Sequence, residues 1–202
     1  MVNMQVHRGS ERRFGGVKRL SDDDLYRRYL AGDSPAFDAL IAKYSGRLVL
    51  YLEGLTRDVR DAEDLAIESF AAILAKRPAI RPGGFQAYLY KAARNRATRF
   101  HMLRRRLPAF GLEEAQLSEA QNARPEDEFL KDERRRAVQR CLANIDPEPR
   151  EALWLVYFEE MSYVQAASVL GVNAKRIDNL LVRGKRLMRA ELAKEGITDA
   201  RE

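Results

Sequence analysis

The sequence predicts an all-α protein of two small helical domains joined by a flexible linker. Three observations predict it. Apolar residues recur at three- and four-residue spacings through two long blocks, and neither block alternates as a half-buried strand would. An acidic stretch containing proline and glycine separates the blocks. Within the second block, two capped helical stretches meet at a glycine, the pattern of a helix-turn-helix.

The bulk numbers bound the function classes. A chain of 202 residues with 46% hydrophobic content can build one domain or two small ones. Lys and Arg number 36 against 30 Asp and Glu, and the net charge of +6 favours a polyanionic partner, nucleic acid ahead of an anionic membrane. Cys141 is the only cysteine, so an internal disulfide and a cysteine metal cluster are excluded, and it reads as a small buried apolar residue. His7 and His101 lie far apart without ligand spacing. No apolar run approaches the roughly 18 residues of a membrane span, and the basic start has no apolar stretch behind it to make a secretory signal. A cytoplasmic protein without membrane insertion is expected. No phosphate-binding glycine loop, zinc signature or activated nucleophile is present, so neither catalysis nor a cofactor is expected.

Residues 1–19 carry Arg8, Arg12, Arg13, Lys18 and Arg19 without a periodic apolar face, and read as a flexible basic tail. The first domain spans 20–106. Ser21 before Asp22, Asp23 and Asp24 starts a helix, because acids suit the positive end of its dipole. Gly32 and Asp33 break it. Ser34 then caps the next helix, with Pro35 at its first position and Phe37, Leu40, Ile41, Tyr44, Leu48 and Tyr51 along one face. A third helix from near Arg60 carries Ala62, Leu65, Ala66, Ser69, Phe70 and Ile73. Pro78, Pro82, Gly83 and Gly84 form a loop, and a fourth helix runs from Phe85 to about Leu103.

The linker, 107–132, holds Pro108, Gly111 and Pro125 and is dominated by acids from Glu113 to Asp132. The second domain spans 133–195, followed by a tail at 196–202. Val138, Cys141, Leu142 and Ile145 make an i, i+3, i+4, i+7 stripe, and Pro147 and Pro149 open a helix running through Trp154 to Phe158. Ser162 and Gln165 have capping-box spacing. The short helix they start buries Ala166, Ala167, Val169 and Leu170, and Gly171 ends it. Val172 plugs the turn and Asn173 caps the second helix, whose Ile177, Leu180, Leu181 and Gly184 face the core. Its other face shows Ala174, Lys175, Arg176, Asp178 and Asn179, the face a recognition helix turns to the major groove. Arg183, Lys185, Arg186 and Arg189 continue it with cations placed for phosphate contacts.

Over roughly Leu20 to Leu192 the chain resembles a bacterial RNA polymerase sigma factor of the compact extracytoplasmic-function class. Ile145 to Arg189 is similar to the family's region 4, which implies binding of the promoter −35 element. Asp61-Ala62-Glu63-Asp64-Leu65 is similar to the acidic helix of region 2. The resemblance implies that Asp61, Glu63, Asp64 and Glu68 dock on the β′ coiled coil of core RNA polymerase, with the β flap as a further contact. Physically, Asp61, Asp64 and Glu68 make an acidic stripe suited to a basic partner, or simply a solvated face. Phe85 to Arg106 resembles the helix that melts the promoter and reads the −10 element. It holds no acid, and Tyr88, Tyr90 and Phe100 are interleaved among its cations. Cations that track phosphates beside rings that stack on bases suit a single strand, although some of these rings belong to the core. Tyr88, Lys91, Arg94, Asn95, Arg96 and Arg99 are the candidate −10 residues, and 79–84 sits where the family forms a pocket for a flipped base.

Three departures mark a divergent branch. Ile67 replaces the usual glutamine, Tyr88 and Arg99 stand for tryptophan and aspartate, and Asp178 and Leu180 interrupt the expected basic face. Asp178 can accept from a cytosine amino group or pair with a neighbouring arginine. The resemblance implies promoter DNA and core polymerase as partners, with an anti-sigma factor as a further one. The competing expectation is a conventional helix-turn-helix regulator with a helical N-terminal domain, which would bind duplex DNA unaided.

Overall fold

A computed structural model of the chain describes residues 20–106, 137, 138 and 140–197. The expected basic tail 1–19, the linker 107–132 and residues beyond 197 lie outside these. All regular elements among the described residues are helical.

Helix α1 (Asp22–Leu30) starts at a full capping box. The Ser21 hydroxyl accepts the Asp24 N–H at 3.1 Å, and the Asp24 carboxylate accepts the Ser21 N–H in return at 3.4 Å. Helix α2 (Ser34–Thr56) begins one residue earlier than its sequence pattern predicts: Asp33, not Ser34, is the N-cap. Pro35 is still accommodated, because first-turn N–H groups lack intrahelical acceptors. Helix α3 (Val59–Lys76) is capped by the Asp58 carboxylate, which accepts the N–H groups of Arg60 at 2.8 Å and Asp61 at 3.0 Å. Helix α4 (Phe85–Arg106) extends a turn past its predicted end. These four helices enclose an aromatic core. Phe37 lies 4.7 Å from the Tyr29 ring, with Phe70 and Phe85 edge-on at 6.3 and 6.4 Å.

In the second group, α5 (Pro147–Leu153) runs directly into a π-helical turn at Trp154–Phe158. The Glu159 N–H reaches back five residues to the Trp154 carbonyl at 3.1 Å, which stacks the Trp154 and Phe158 rings 4.8 Å apart. Glu160 follows in the left-handed region, at φ 55°, and turns the chain sharply. Helix α6 (Tyr163–Leu170) has the predicted Ser162–Gln165 capping box and ends at Gly171, at φ 71°. Helix α7 (Ala174–Lys194) starts from Asn173, whose side chain accepts the Arg176 N–H at 2.8 Å. Gly184 lets α7 meet α5: a Cβ there would stand 2.9 Å from Leu153 Cγ.

The two groups pack against each other, α6 on α4. Two buried carboxylates of the second group reach into the first. Glu151 accepts the Tyr51 hydroxyl at 2.5 Å and Arg94 Nε at 2.7 Å. Glu159 accepts the Tyr90 hydroxyl at 2.5 Å and faces Arg47 Nε at 3.2 Å. The sequence reading of two linked domains contained no such contact.

Candidate nucleic-acid interfaces

Two surfaces carry the candidate residues. The first is a cleft of about 980 Å³ bounded by α3, the loop 79–84 and α4. Lys91, Asn95 and Arg99 are exposed along its α4 wall, and Tyr88 is 37% exposed at its lip. Arg96 lies deeper, 4.0 Å from Glu68, and Phe100 is half-buried at one end. Residues 88, 91, 92, 95, 96 and 99 repeat at three and four, so one face of α4 supplies the whole wall.

Arg94 does not belong to that set. It lies between the buried Tyr90 and Ala97 on α4, and its guanidinium is bound to Glu151. Arg94 is three residues from Lys91, a same-face spacing, so the period alone leaves it beside that wall; its bond to Glu151 is what sets it apart. Of the three rings, Tyr90 is core, wholly buried with its hydroxyl on Glu159. Tyr88 and Phe100 face the cleft.

The loop itself is held by a turn. The Gly84 N–H donates to the Arg81 carbonyl at 2.9 Å, with Pro82 and Gly83 between them and Gly83 at φ 71°. That is the residue pattern of a type II turn, which needs a positive φ at its third position. Gly84 is equally constrained: a Cβ would fall 2.8 Å from the Arg81 carbonyl oxygen.

The opposite wall was not foreseen. Val164, Gln165 and Ser168 of α6 line the cleft, and Gln165 Nε2 donates to the Gly83 carbonyl at 2.9 Å. Gln165 had been legible only as a capping residue. Its second role depends on contacts across 82 residues of sequence, which no local pattern reports.

The acidic face of α3 is partly engaged. Asp61 pairs with Arg104 at 2.9 Å and Glu68 stands beside Arg96. Glu63 and Asp64 are exposed, and so is Ile67, at 67%.

The second surface is the outer face of α7. Ala174, Lys175, Arg176, Asp178, Asn179, Arg183, Lys185 and Arg186 are all exposed, as the helical period predicts, while Ile177, Leu180, Leu181 and Gly184 are buried. Arg176 pairs with Glu148 at 2.7 Å, and Arg183 pairs with Asp146. Lys185 leans on the Tyr157 ring, 5.3 Å from its centroid, and its contact with the tyrosine hydroxyl raises its pKa above the usual lysine value. Asp178 makes no ion pair among the described residues, so the pairing expected as one alternative is absent.

No cluster of His, Cys, Asp or Glu is placed to hold a metal among the described residues. No helix among them is long and apolar enough to cross a membrane.

A helix-turn-helix with an exposed recognition face, set beside an acid-free helix that walls a cleft, defines a two-module DNA-binding transcription protein. Comparison with known proteins makes this specific. The family descriptions "Sigma-70 region 2" and "Sigma-70, region 4" match residues 40–107 and 135–188. RNA polymerase sigma-H factor of Pseudomonas aeruginosa is 30% identical over 158 residues, spanning 74% of this chain and 82% of that protein. ECF RNA polymerase sigma factor SigE of Mycolicibacterium smegmatis is 27% identical, over 79% of this chain and 63% of its own. The chain belongs to the sigma-70 family, among the extracytoplasmic-function RNA polymerase sigma factors. These are non-enzymatic initiation factors, and the reading as a stand-alone regulator falls away. Two solved structures share the fold at TM-score 0.61. One is CnrH in complex with the cytosolic domain of CnrY, at 21% identity over 86% of this chain and 97% of that one. The other is the sigma factor RpoE with the anti-sigma factor NepR from Bartonella quintana, at 19% identity over 78% and 96%.

Proposed function

We propose that the α3–α4 cleft takes the single-stranded −10 segment of a promoter while α7 reads the −35 duplex. The observation that carries this is the acid-free wall of α4. Lys91, Arg96 and Arg99 supply phosphate contacts, Asn95 a base-edge donor and acceptor, and Tyr88 and Phe100 surfaces for base stacking. The loop 79–84 closes the end where an extruded base would sit. On α7, Lys175, Arg176, Asp178 and Asn179 face the groove, and Arg183, Lys185 and Arg186 follow along the backbone. Ala174 at the helix start allows close approach. Arg94 takes no part in strand binding.

Core polymerase binds the exposed part of the acidic face. Glu63 and Asp64, which make no ion pair among the described residues, make the first contact with the β′ coiled coil; Asp61 and Glu68 join when Arg104 and Arg96 turn to DNA. The β flap takes the second module. An anti-sigma factor is a further proposed partner, supported by the two complexes that share this fold.

The test is in vitro transcription with core polymerase on a template pool with randomised upstream sequence. Specific start sites are expected with the chain and none without it. Charge reversal at Glu63 and Asp64 is expected to abolish polymerase binding. Transcription without selection of any upstream sequence would overturn the promoter reading.

A further inference from the structure

Helix α1 lies before residue 40, where the region 2 match begins. Its side chains nonetheless end on the segment that borders the cleft. Both oxygens of the Asp23 carboxylate accept the Gly83 N–H, at 2.9 and 2.7 Å. One turn on, Tyr26 donates its hydroxyl to the Pro78 carbonyl at 2.7 Å. A turn further, Tyr29 donates to the Leu74 carbonyl at 2.9 Å. Both tyrosines are buried, with rings 5.3 Å from Phe85 and 4.7 Å from Phe37. Arg77, left-handed at φ 42°, lays its guanidinium 5.2 Å from the Tyr29 ring at the point where α3 ends and the loop begins.

These contacts matter because the loop has little else to hold it. Ala79, Arg81, Pro82 and Gly83 are exposed, and only Ile80 packs on the core. Backbone course therefore depends on polar anchors at its ends, and a binding site needs its supporting groups held to within about half an ångström. The Gly83 peptide unit is the meeting point. Its N–H is held by Asp23 of the first module and its carbonyl by Gln165 of the second. When the second module leaves the cleft, the Gln165 bond goes with it, and the Asp23 bond is the side-chain anchor that remains on this unit.

We infer that Asp23, backed by Tyr26 and Tyr29, is a positioning residue for promoter reading: it touches no DNA, and it fixes the course of 78–84 that decides which base the cleft accepts. This rests on the cleft being the −10 site. The loop edge is a shape-reading surface, and a loop free to shift would accept more than one base. Asparagine at 23 keeps one acceptor oxygen at the same reach, so it should restore part of what alanine loses.

The experiment uses full-length chain with core RNA polymerase and a template pool randomised only across the −10 segment; the templates that yield transcript are sequenced. The wild-type chain is expected to prefer particular bases. Asp23→Ala should cut the ratio of preferred to least-favoured base about tenfold at the position nearest the loop, in line with loss of a hydrogen bond to a charged acceptor, with Asp23→Asn intermediate. Affinity for core polymerase should stay at the wild-type value, and the melting temperature should fall by no more than a few degrees, as loss of one hydrogen bond allows. Unchanged base preference in Asp23→Ala overturns the inference. A parallel fall in polymerase affinity, or a melting temperature lowered by more than about 10 °C, overturns it too, because the residue would then serve folding at large. The double variant Lys91→Ala, Arg96→Ala tests the cleft separately. It should lower transcript yield across all sequences, as loss of phosphate contacts does. If it lowers nothing and the wild type selects no base, the −10 reading itself has failed; if it lowers yield while Asp23→Ala keeps its selection, only the positioning role has.

Discussion

Arg176 and Arg183 do not stand free on the recognition helix. Each is tied to an acid at the start of α5, Arg176 to Glu148 and Arg183 to Asp146. All four side chains are more than half exposed, and exposed pairs of this kind contribute about 0–1 kcal/mol in either direction. On the proposed −35 role of α7, their effect on DNA affinity should exceed their effect on stability. Each acid would then compete with a phosphate for its arginine and place a negative charge close to the duplex. Replacing Glu148 and Asp146 by alanine is therefore expected to raise holoenzyme affinity for a −35 duplex about two- to fivefold, and to steepen the fall of affinity with salt. Urea unfolding should move little. A salt-titrated binding curve checks it, and an unchanged or lowered affinity would show that these acids orient the arginines rather than restrain them.

At the scale of elements, what was legible in the sequence is what is decided locally. The Ser162–Gln165 box, the left-handed Gly171 and the Asn173 cap are each settled within four residues, and all three stand as expected. The α2 cap moved by one residue because both Asp33 and Ser34 suit the position, and only the packed helix chooses between them. The π turn at Trp154–Phe158 was not legible, since its apolar pattern fits an ordinary helix. Nor were the roles of the tyrosines. Tyr44 and Tyr51 were readable as core by their spacing on α2, but spacing cannot report that Asp22 and Glu151 wait at their hydroxyls. The consequence is measurable. Burial, with two neighbouring tyrosines, pushes Tyr26 up to about 12. Burial and then carboxylate partners hold Tyr44, Tyr51 and Tyr90 well above the usual tyrosine value too. An unfolded tyrosine loses its proton near pH 10. Below that pH these groups leave stability constant. Above it the unfolded chain ionises while the native one does not, so stability is lost as pH rises, by up to about 1.4 kcal/mol per pH unit for each such tyrosine. Unfolding is expected to precede phenolate absorbance from these residues. Urea midpoints taken between about pH 9 and 12 alongside absorbance will test it. Ionisation of all tyrosines near pH 10 in a still-folded chain would contradict it.

At the scale of the molecule, the arrangement of the two modules bears directly on the cleft. Val164, Gln165 and Ser168 form one of its walls, so on the proposed −10 reading a strand laid along α4 is expected to displace α6. The second group is held there by polar contacts beside a buried apolar core to which both groups contribute. Tyr51 and Arg94 bind Glu151, and Tyr90 and Arg47 face Glu159, with Gln86 donating to the Glu159 carbonyl at 2.8 Å. Such contacts are satisfied only when paired, and they tolerate water better than an apolar seam would. Glu151→Ala should therefore loosen the interface in a specific way. The Tyr51 hydroxyl, 3% exposed as a residue, loses its acceptor at a cost of about 1–3 kcal/mol. Arg94, whose side chain is 30% exposed, adds less because water can reach it. Removing both ends of the tyrosine bond, as in Tyr51→Phe with Glu151→Leu, should cost less than Glu151→Ala alone, since no buried hydroxyl is then left unpaired. The free Glu151→Ala chain should also bind a fluorescent single-stranded −10 oligonucleotide several-fold more tightly than wild type, because the closed form withholds its cleft by the fraction of time it stays closed. In complex with core polymerase the two should bind alike. Equal affinity of the free chains would mean that the modules already stand apart in solution, and that the carboxylates govern stability alone.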